Sequence, residues 1–292
     1  MRLHVVVHSI LARLYRAALT TYVVPVIILL VRIRHCLNYQ FGGRAGSIFY
    51  NRSKNTPTSL FKGMITIVTL VIGHDFKKGL QDCLESKRAY ASRHGYDYRE
   101  GGVEFWDRTR PVPWSKIPYL LSILNSLPEG AIIWLSDADV LITNPELTLE
   151  YHILPFFPET KDMMMTIDAC GHLNSGNMFM RNTPWLRDFW ARVGQQKDLL
   201  YHIWWENAAI IKLLETNSSD LAHVEITSDH TRSNSYLQGI PGQPLWTPGN
   251  FLVHFAGIYD VARISTLVKA IQAGKIPRLS IHDSKGLIFI EH

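Results

Sequence analysis

Nine residues without a charge, MITIVTLVI at 64–72, lie between Gly63 and Gly73. A run this short, rich in β-branched residues and closed by glycine at both ends, predicts a strand buried on both faces, as in a parallel sheet. The next segments narrow the fold further. KKGLQDCLESKRAYASRHG (77–95) places Leu80, Leu84 and Ala91 on one helical face and stops at Gly95, the residue suited to a left-handed C-terminal cap. YDYR (96–99) reads as a second strand, Trp114 to Leu127 as a helix closed by Pro128, and AIIWL (131–135) as a third, apolar strand. Strand, helix, strand, helix, strand is the order of a parallel α/β sheet with right-handed crossovers. Strands over 163–168, 177–181, 223–227 and 250–255 extend it, with helices from Pro184 to about Val193, over 205–215 and over 265–274. No repeat and no second domain boundary interrupts residues 63–292.

The chain has 292 residues, 47% hydrophobic and 19% charged, enough for one such domain with appendages and incompatible with global disorder. Three cysteines without a C-x-x-C pair exclude a disulfide miniprotein and a zinc-thiolate site. Cys83 falls on the first helix and Cys170 beside the expected cleft, both read as buried free thiols. The net charge of +5 would by itself suggest nucleic acid or an anionic surface. Its distribution says otherwise. The first 63 residues hold nine of the 30 Lys and Arg and none of the 25 Asp and Glu, so the remainder is mildly acidic. It also carries no interleaved basic-aromatic stripe, and no nucleic-acid partner is expected.

The basic excess flanks AALTTYVVPVIILLV (17–31), uncharged and 15 residues long. As a straight helix it spans about 22 Å, short of a hydrocarbon core of about 30 Å, with Arg16 and Arg32 placed to snorkel. The expectation is a membrane anchor in a leader over 1–34; a cleaved signal peptide and a core helix are the alternatives. Residues 35–62, rich in Gly, Ser, Asn and Thr, read as a stem or linker. Glycosylation sequons at Asn51 and Asn217 matter only if the domain is lumenal or secreted.

Ligands of an open α/β sheet bind beyond the carboxyl ends of its strands. Asp137 and Asp139 leave the strand AIIWL there. Two carboxylates at i and i+2 on extended backbone can share one hard cation, which can bridge a diphosphate; a solvated turn is the plain alternative. Asn174-Ser175-Gly176-Asn177 leads into MFMR, where small residues let a ligand approach the backbone. Trp204-Trp205-Glu206-Asn207 opens an apolar helix, with Glu206 and Asn207 near its positive end. His254 lies in NFLVHFAG, where a satisfied core histidine is the ordinary reading.

WSKIPYLLSILNSLPEGAIIWLSDADVLITNPE, NSGNMFMRNTPW, WWENAAI and GNFLVHFAG, in that order, resemble glycosyltransferase family 34. That family comprises fungal α-mannosyl- and galactosyltransferases and plant xyloglucan xylosyltransferases. AYASRHGYDY (89–98) is similar to the family's tyrosine/glycine stretch, and the likeness covers roughly residues 64–260. The resemblance implies a GT-A fold, a mostly parallel Rossmann-like nucleotide-sugar-binding sheet with a mixed acceptor-side half. It implies a nucleotide-sugar donor, Mn²⁺, a glycan or glycoprotein acceptor, and transfer with retention of anomeric configuration. It further implies a Golgi membrane location with a lumenal domain, and complexes with related glycosyltransferases. The family's D-x-D maps onto Asp137 and Asp139, its metal-binding histidine onto His254, and its Trp-x-Lys pair onto Trp114 and Lys116. Its acidic-plus-amide helix start maps onto Glu206 and Asn207, taken as catalytic with Asn174. Lys116, Ser175, Gly176 and Gly257 are expected at the donor.

Two positions depart from the family. Asn207 stands where glutamine is usual, one methylene shorter. Ile258 and Tyr259 occupy places that carry Cys and, in the xylosyltransferases, a nearby Lys, so a diphosphate contact there is missing or comes from elsewhere, such as Arg263. The W-x-K helix and the ITNP after the D-x-D favour this family over the retaining glycogenin and galactinol-synthase group. A non-catalytic carbohydrate-binding relative is the alternative of another class. Attack from the leaving-group face and a covalent intermediate on Glu206 both stay open.

Overall fold

The computed structural model describes residues 65–279 and the backbone of 287–290. The leader, the stem and Asn51 lie outside the described residues; among those described, no helix is long and apolar enough to cross a membrane. The domain opens with β1 (Ile65–Leu70), α1 (His74–Gly79), α2 (Gln81–His94) and β2 (Asp97–Gly101). It continues through α3 (Lys116–Ser126), β3 (Ile132–Ser136), β4 (Val140–Ile142), β5 (Met163–Ile167) and β6 (Leu173–Arg181). The remainder is α4 (Pro184–Gly194), α5 (Trp205–Thr216), β7 (Val224–Thr227), β8 (Leu252–His254), α6 (Val261–Gln272), β9 (Ile276–Leu279) and β10 (Leu287–Ile290), joined by shorter helical turns.

Six strands form the central sheet in the order β2-β1-β3-β6-β5-β7. β6 runs antiparallel to both neighbours and the other pairs are parallel. The expected α/β sheet is therefore present, parallel in its first half and mixed in its second. Its strands read as unbroken apolar runs because both faces are buried. Successive side chains alternate between two cores. Ile133, Leu135, Met163, Met165, Met178 and Met180 join α3, α4 and α5 on one face. Ile132, Trp134, Met164 and Phe179 join Tyr90 and Phe251 on the other. A one-residue slip would exchange these sets, so the register is strongly specified.

Three local expectations are corrected. The single helix over 77–95 is two helices, α1 and α2, broken at buried Leu80; Gly95 does close the second, in the left-handed conformation at φ 73°. Asn174 to Asn177 lie inside β6 instead of preceding the strand. The register of β5 against β6 shifts between Met164 and Thr166, and this irregularity carries Ser175 and Gly176 out of the β5 ladder toward β3. Of the cysteines, Cys83 is free and buried as expected, but Cys170 is free and exposed.

Candidate functional site

β3 ends at Ser136, but its ladder continues one step, because the Asp137 N–H donates to Gly176 O at 2.7 Å. The Val140 N–H then donates to Asp137 O at 3.2 Å, closing a tight turn that feeds β4. β4 pairs antiparallel with β8, setting Val140 opposite His254. The Phe255 N–H donates to Asp139 O at 3.1 Å. Backbone pairing alone therefore brings the two aspartates and the histidine to one point, although more than 100 residues separate them in sequence.

One ligand atom from each of Asp137, Asp139 and His254 lies within 4.8 Å of the other two. His254 Nε2 stands 3.4 Å from Asp139 Oδ1. Octahedral ligands about 2.1 Å from a cation stand about 3 Å apart when adjacent and about 4 Å apart when opposite. Two carboxylates and one imidazole of this spacing fit a divalent ion such as Mn²⁺. Burial works against the charge of Asp139, yet His254 and Lys87 outweigh it and hold its carboxyl below the usual aspartate range. His254 is buried, with an acceptor near each ring nitrogen. Its Nδ1 is paired with Asn234 Oδ1 at 2.9 Å, while its Nε2 faces a carboxylate.

The imidazole rests on Gly176. A Cβ at that position would come within 2.2 Å of His254 Cε1, so the close approach expected for this glycine is made by a side chain of the chain itself.

Beside the three ligands lies a second charged group. Lys116 Nζ is 2.9 Å from Asp137 Oδ1 and 2.8 Å from Glu206 Oε1, and all but a tenth of the lysine side chain is buried. Ser175 Oγ donates to the same Glu206 oxygen at 3.3 Å. Burial opposes the ammonium charge, but Asp137 and Glu206 raise the Lys116 pKa well above its ordinary value. The backbone at the start of α5 is strained to deliver Glu206. Trp205 has φ 42°, the one positive value at a non-glycine among the described residues, at a cost of about 1–3 kcal/mol.

The remaining expected residues fall as follows. Asn174 Oδ1 turns inward, accepting the Gly176 N–H at 2.8 Å and the Asn234 amide at 3.1 Å. Asn207 Nδ2 donates to Leu173 O at 2.9 Å, and its Oδ1 is buried without a partner among the described residues. Gly257 takes φ 77° just after the His254 segment. Trp114 is buried, its indole donating to Leu200 O at 3.0 Å, away from the ligands. Arg263 lies in the first turn of α6. Asn217 of the second sequon is exposed and caps the helical turn Ser218–Ala222 with its side chain.

Sequence reasoning missed Lys87 and Asn234. Lys87 is fully buried and donates to Asp137 O at 2.5 Å and Ala138 O at 3.4 Å, beneath the aspartate turn. Burial lowers its pKa to about 8. A signal for it existed, since Leu84, Lys87 and Ala91 share one helical face. Asn234, in the polar stretch DHTRSNSY, offered none.

The fold that carries this site is of the GT-A type. A solved glycosyltransferase involved in the glycosylation of the major capsid of PBCV-1 superposes with a TM-score of 0.56 at 14% identity, over 70% of this chain and 98% of that one. Residues 64–157 match the galactosyl transferase GMA12/MNN10 family, which is the likeness that the motifs imply. Similar curated proteins include an uncharacterized alpha-1,2-galactosyltransferase of Schizosaccharomyces pombe, 25% identical over 223 residues, 62% of this chain and 56% of that one. Another, from Saccharomyces cerevisiae and named "Probable alpha-1,6-mannosyltransferase", is 24% identical over 163 residues, 42% of this chain and 35% of that one. The chain therefore spans about half or less of the length of these relatives.

Proposed function

We propose that this chain is a divalent-metal-dependent glycosyltransferase that moves a hexose or pentose from a nucleoside diphosphate sugar to a glycan hydroxyl, with retention of configuration. The observation that carries this reading is the convergence of Asp137, Asp139 and His254 at the carboxyl end of β3, with Lys116 and Glu206 alongside.

Asp137, Asp139 and His254 would hold a divalent cation such as Mn²⁺, which would supply positive charge to a leaving diphosphate. The other roles belong to side chains. Asp137 pairs with Lys116 through Oδ1 and would share its carboxylate with the cation. Lys116, held protonated, keeps a fixed positive charge beside the donor. Lys116 and Ser175 fix the orientation of the Glu206 carboxylate. A carboxylate whose charge is already engaged by an ammonium is a weak nucleophile, which favours Glu206 as a group that positions the sugar. The acceptor hydroxyl then attacks from the leaving-group face and yields its proton to a donor phosphate oxygen. Trp204, partly exposed and 4.7 Å from the His172 ring, offers an apolar face to a sugar. The apolar segment 17–31 holds the domain at a membrane, which fractionation of cells expressing the full chain checks.

The test is transfer from UDP-galactose, GDP-mannose and UDP-xylose, with and without Mn²⁺. One donor is expected to support transfer that chelation abolishes and Mn²⁺ restores. Asp139→Ala is expected to reduce turnover by about 100-fold or more. Full activity in that variant would overturn the reading.

A further inference from the structure

Behind His254, the buried Asn177, Asn234 and Thr166 join the half-buried Asn174 in one hydrogen-bonded network, and the amide orientations follow from the partners. An amide oxygen and nitrogen are told apart by their partners. The network ends in two groups that can only donate. At one end the Trp134 Nε1–H donates to Asn177 at 3.1 Å, so the atom facing the indole is Oδ1. The Asn177 amide nitrogen must then face Asn234, and it donates to Asn234 Oδ1 at 3.0 Å. At the other end the Gly176 N–H donates to Asn174 at 2.8 Å, which identifies that atom as Oδ1. The Asn234 atom that meets it at 3.1 Å must be the amide nitrogen, which also donates to Thr166 Oγ1 at 3.0 Å. Two independent chains of donors thus assign the same orientation to Asn234.

The consequence falls on His254. The Asn234 oxygen lies 2.9 Å from His254 Nδ1. An amide oxygen can only accept, so Nδ1 must carry a proton. In the neutral ring Nε2 is then the bare nitrogen, and Nε2 is the atom 3.4 Å from Asp139 Oδ1. A lone pair facing a carboxylate at that distance is repulsive unless a positive charge lies between them. Gly176 adds a steric constraint, because the imidazole sits where a Cβ would be, leaving little room for the ring to turn over.

We infer that Asn234 is a positioning residue that fixes His254 as the Nδ1–H tautomer, with the Nε2 lone pair aimed at a divalent cation held with Asp137 and Asp139. Trp134 and Gly176, through Asn177 and Asn174, hold Asn234 in place. This rests on the cation reading of the site and adds to it the group that prepares the histidine. Outer-shell partners of metal-bound histidines fix the tautomer in this way.

The experiment uses the full chain and two readouts besides activity. Nitrogen-15 imidazole spectra of protein loaded with the diamagnetic ion Zn²⁺, with His254 assigned by His254→Gln, are expected to show Nδ1 protonated and Nε2 without a proton. Titration with Mn²⁺ alone, followed by the EPR signal of the free ion, then compares variants. Asn234→Leu removes the acceptor and is expected to weaken Mn²⁺ binding by about 10- to 100-fold. Asn234→Asp also loses the amide donor toward Asn174 but keeps an acceptor for Nδ1–H, and is expected to restore most of the affinity. A purely structural role would harm both variants alike. Should Asn234→Leu fail to fold, Trp134→Phe keeps the ring and removes one anchor, and is expected to weaken binding in the same direction. Wild-type protein that takes up no Mn²⁺ overturns the cation reading beneath the inference. Wild-type protein that binds Mn²⁺ while Asn234→Leu binds it equally well, or a His254 that in the Zn²⁺-loaded protein carries its proton on Nε2 and none on Nδ1, overturns the inference alone.

Discussion

Gly176 shows how much of the site depends on single atoms. Its backbone serves both neighbours, its carbonyl accepting from Asp137 and its N–H donating to Asn174. Its missing side chain makes room for the His254 ring. A methyl group there would lie 2.2 Å from Cε1 and 2.9 Å from Nε2, distances that only movement of the imidazole can relieve. Gly176→Ala should therefore reduce Mn²⁺ affinity by about 10-fold or more, as displacement of a ligand's support does. The loss of stability should be smaller, about 1–3 kcal/mol, as for an overpacked core. Parallel titration with Mn²⁺ and chemical denaturation check it, and unchanged affinity would count against the close seat. At this scale the sequence is informative where chemistry is bunched. Asp137 and Asp139 are legible because a strand delivers both within three residues. Asn234 is illegible because a buried amide among Ser, Thr and Asn looks like any polar loop until the fold surrounds it.

Among the elements, α4 was legible from end to end. Thr183 caps it by accepting the Leu186 N–H at 3.2 Å, and Pro184 stands at the first turn, as capping preferences require. What holds α4 against the turn Ser218–Ala222 was not legible, because it is an ion pair spanning 28 residues. Arg192 grips Asp220 with both terminal nitrogens, at 2.6 and 2.7 Å, and Trp185 Nε1 donates to the same carboxylate at 3.0 Å. The Asp220 carboxylate is nearly buried. The Arg192 hydrogen bonds hold its pKa below the ordinary aspartate value. Folding is therefore favoured fully above the ordinary value, and that contribution is lost as pH falls through the lower folded one. Asp220→Asn should destabilise the domain by about 1–3 kcal/mol at neutral pH, because it removes the buried charge opposite a partly exposed guanidinium that keeps its second partner, Asp188. The gap to wild type should narrow in acid below the ordinary aspartate pKa. Denaturation of both proteins at pH 7 and pH 3 tests this, and a gap that stays constant would exclude the pair as its source.

Across the whole molecule, the strand–helix alternation made the parallel half of the sheet legible. The insertion of antiparallel β6 between β3 and β5 was not, since no local pattern encodes which strands become neighbours. That insertion matters to the site, because it sets Ser175 and Gly176 against the aspartate turn. The small β4–β8 ribbon matters equally, because it brings His254 back to β3.

The two pairings leave the site as a junction between the central sheet and the C-terminal segment, and a cation there would tie the two together. Its charges are already partly balanced. Lys87 lies beneath the turn that carries Asp137 and Asp139, and Lys116 lies between Asp137 and Glu206. Two lysines against three carboxylates let the domain fold before metal arrives, so Mn²⁺ should add to stability without being required for folding. At 100 times its dissociation constant a ligand specific to the folded state adds about 2.7 kcal/mol. For a domain of this size, at about 2–4 °C per kcal/mol, that is a rise in Tm of roughly 5–10 °C. Asp139→Asn keeps the shape of the side chain and removes its charge, and should show no such rise. Thermal unfolding of both proteins in chelator and in saturating Mn²⁺ makes the comparison. Equal shifts in the two would locate the Mn²⁺ effect elsewhere on the chain, whereas a shift confined to wild type would place the ion at the junction and make Asp139 one of its ligands.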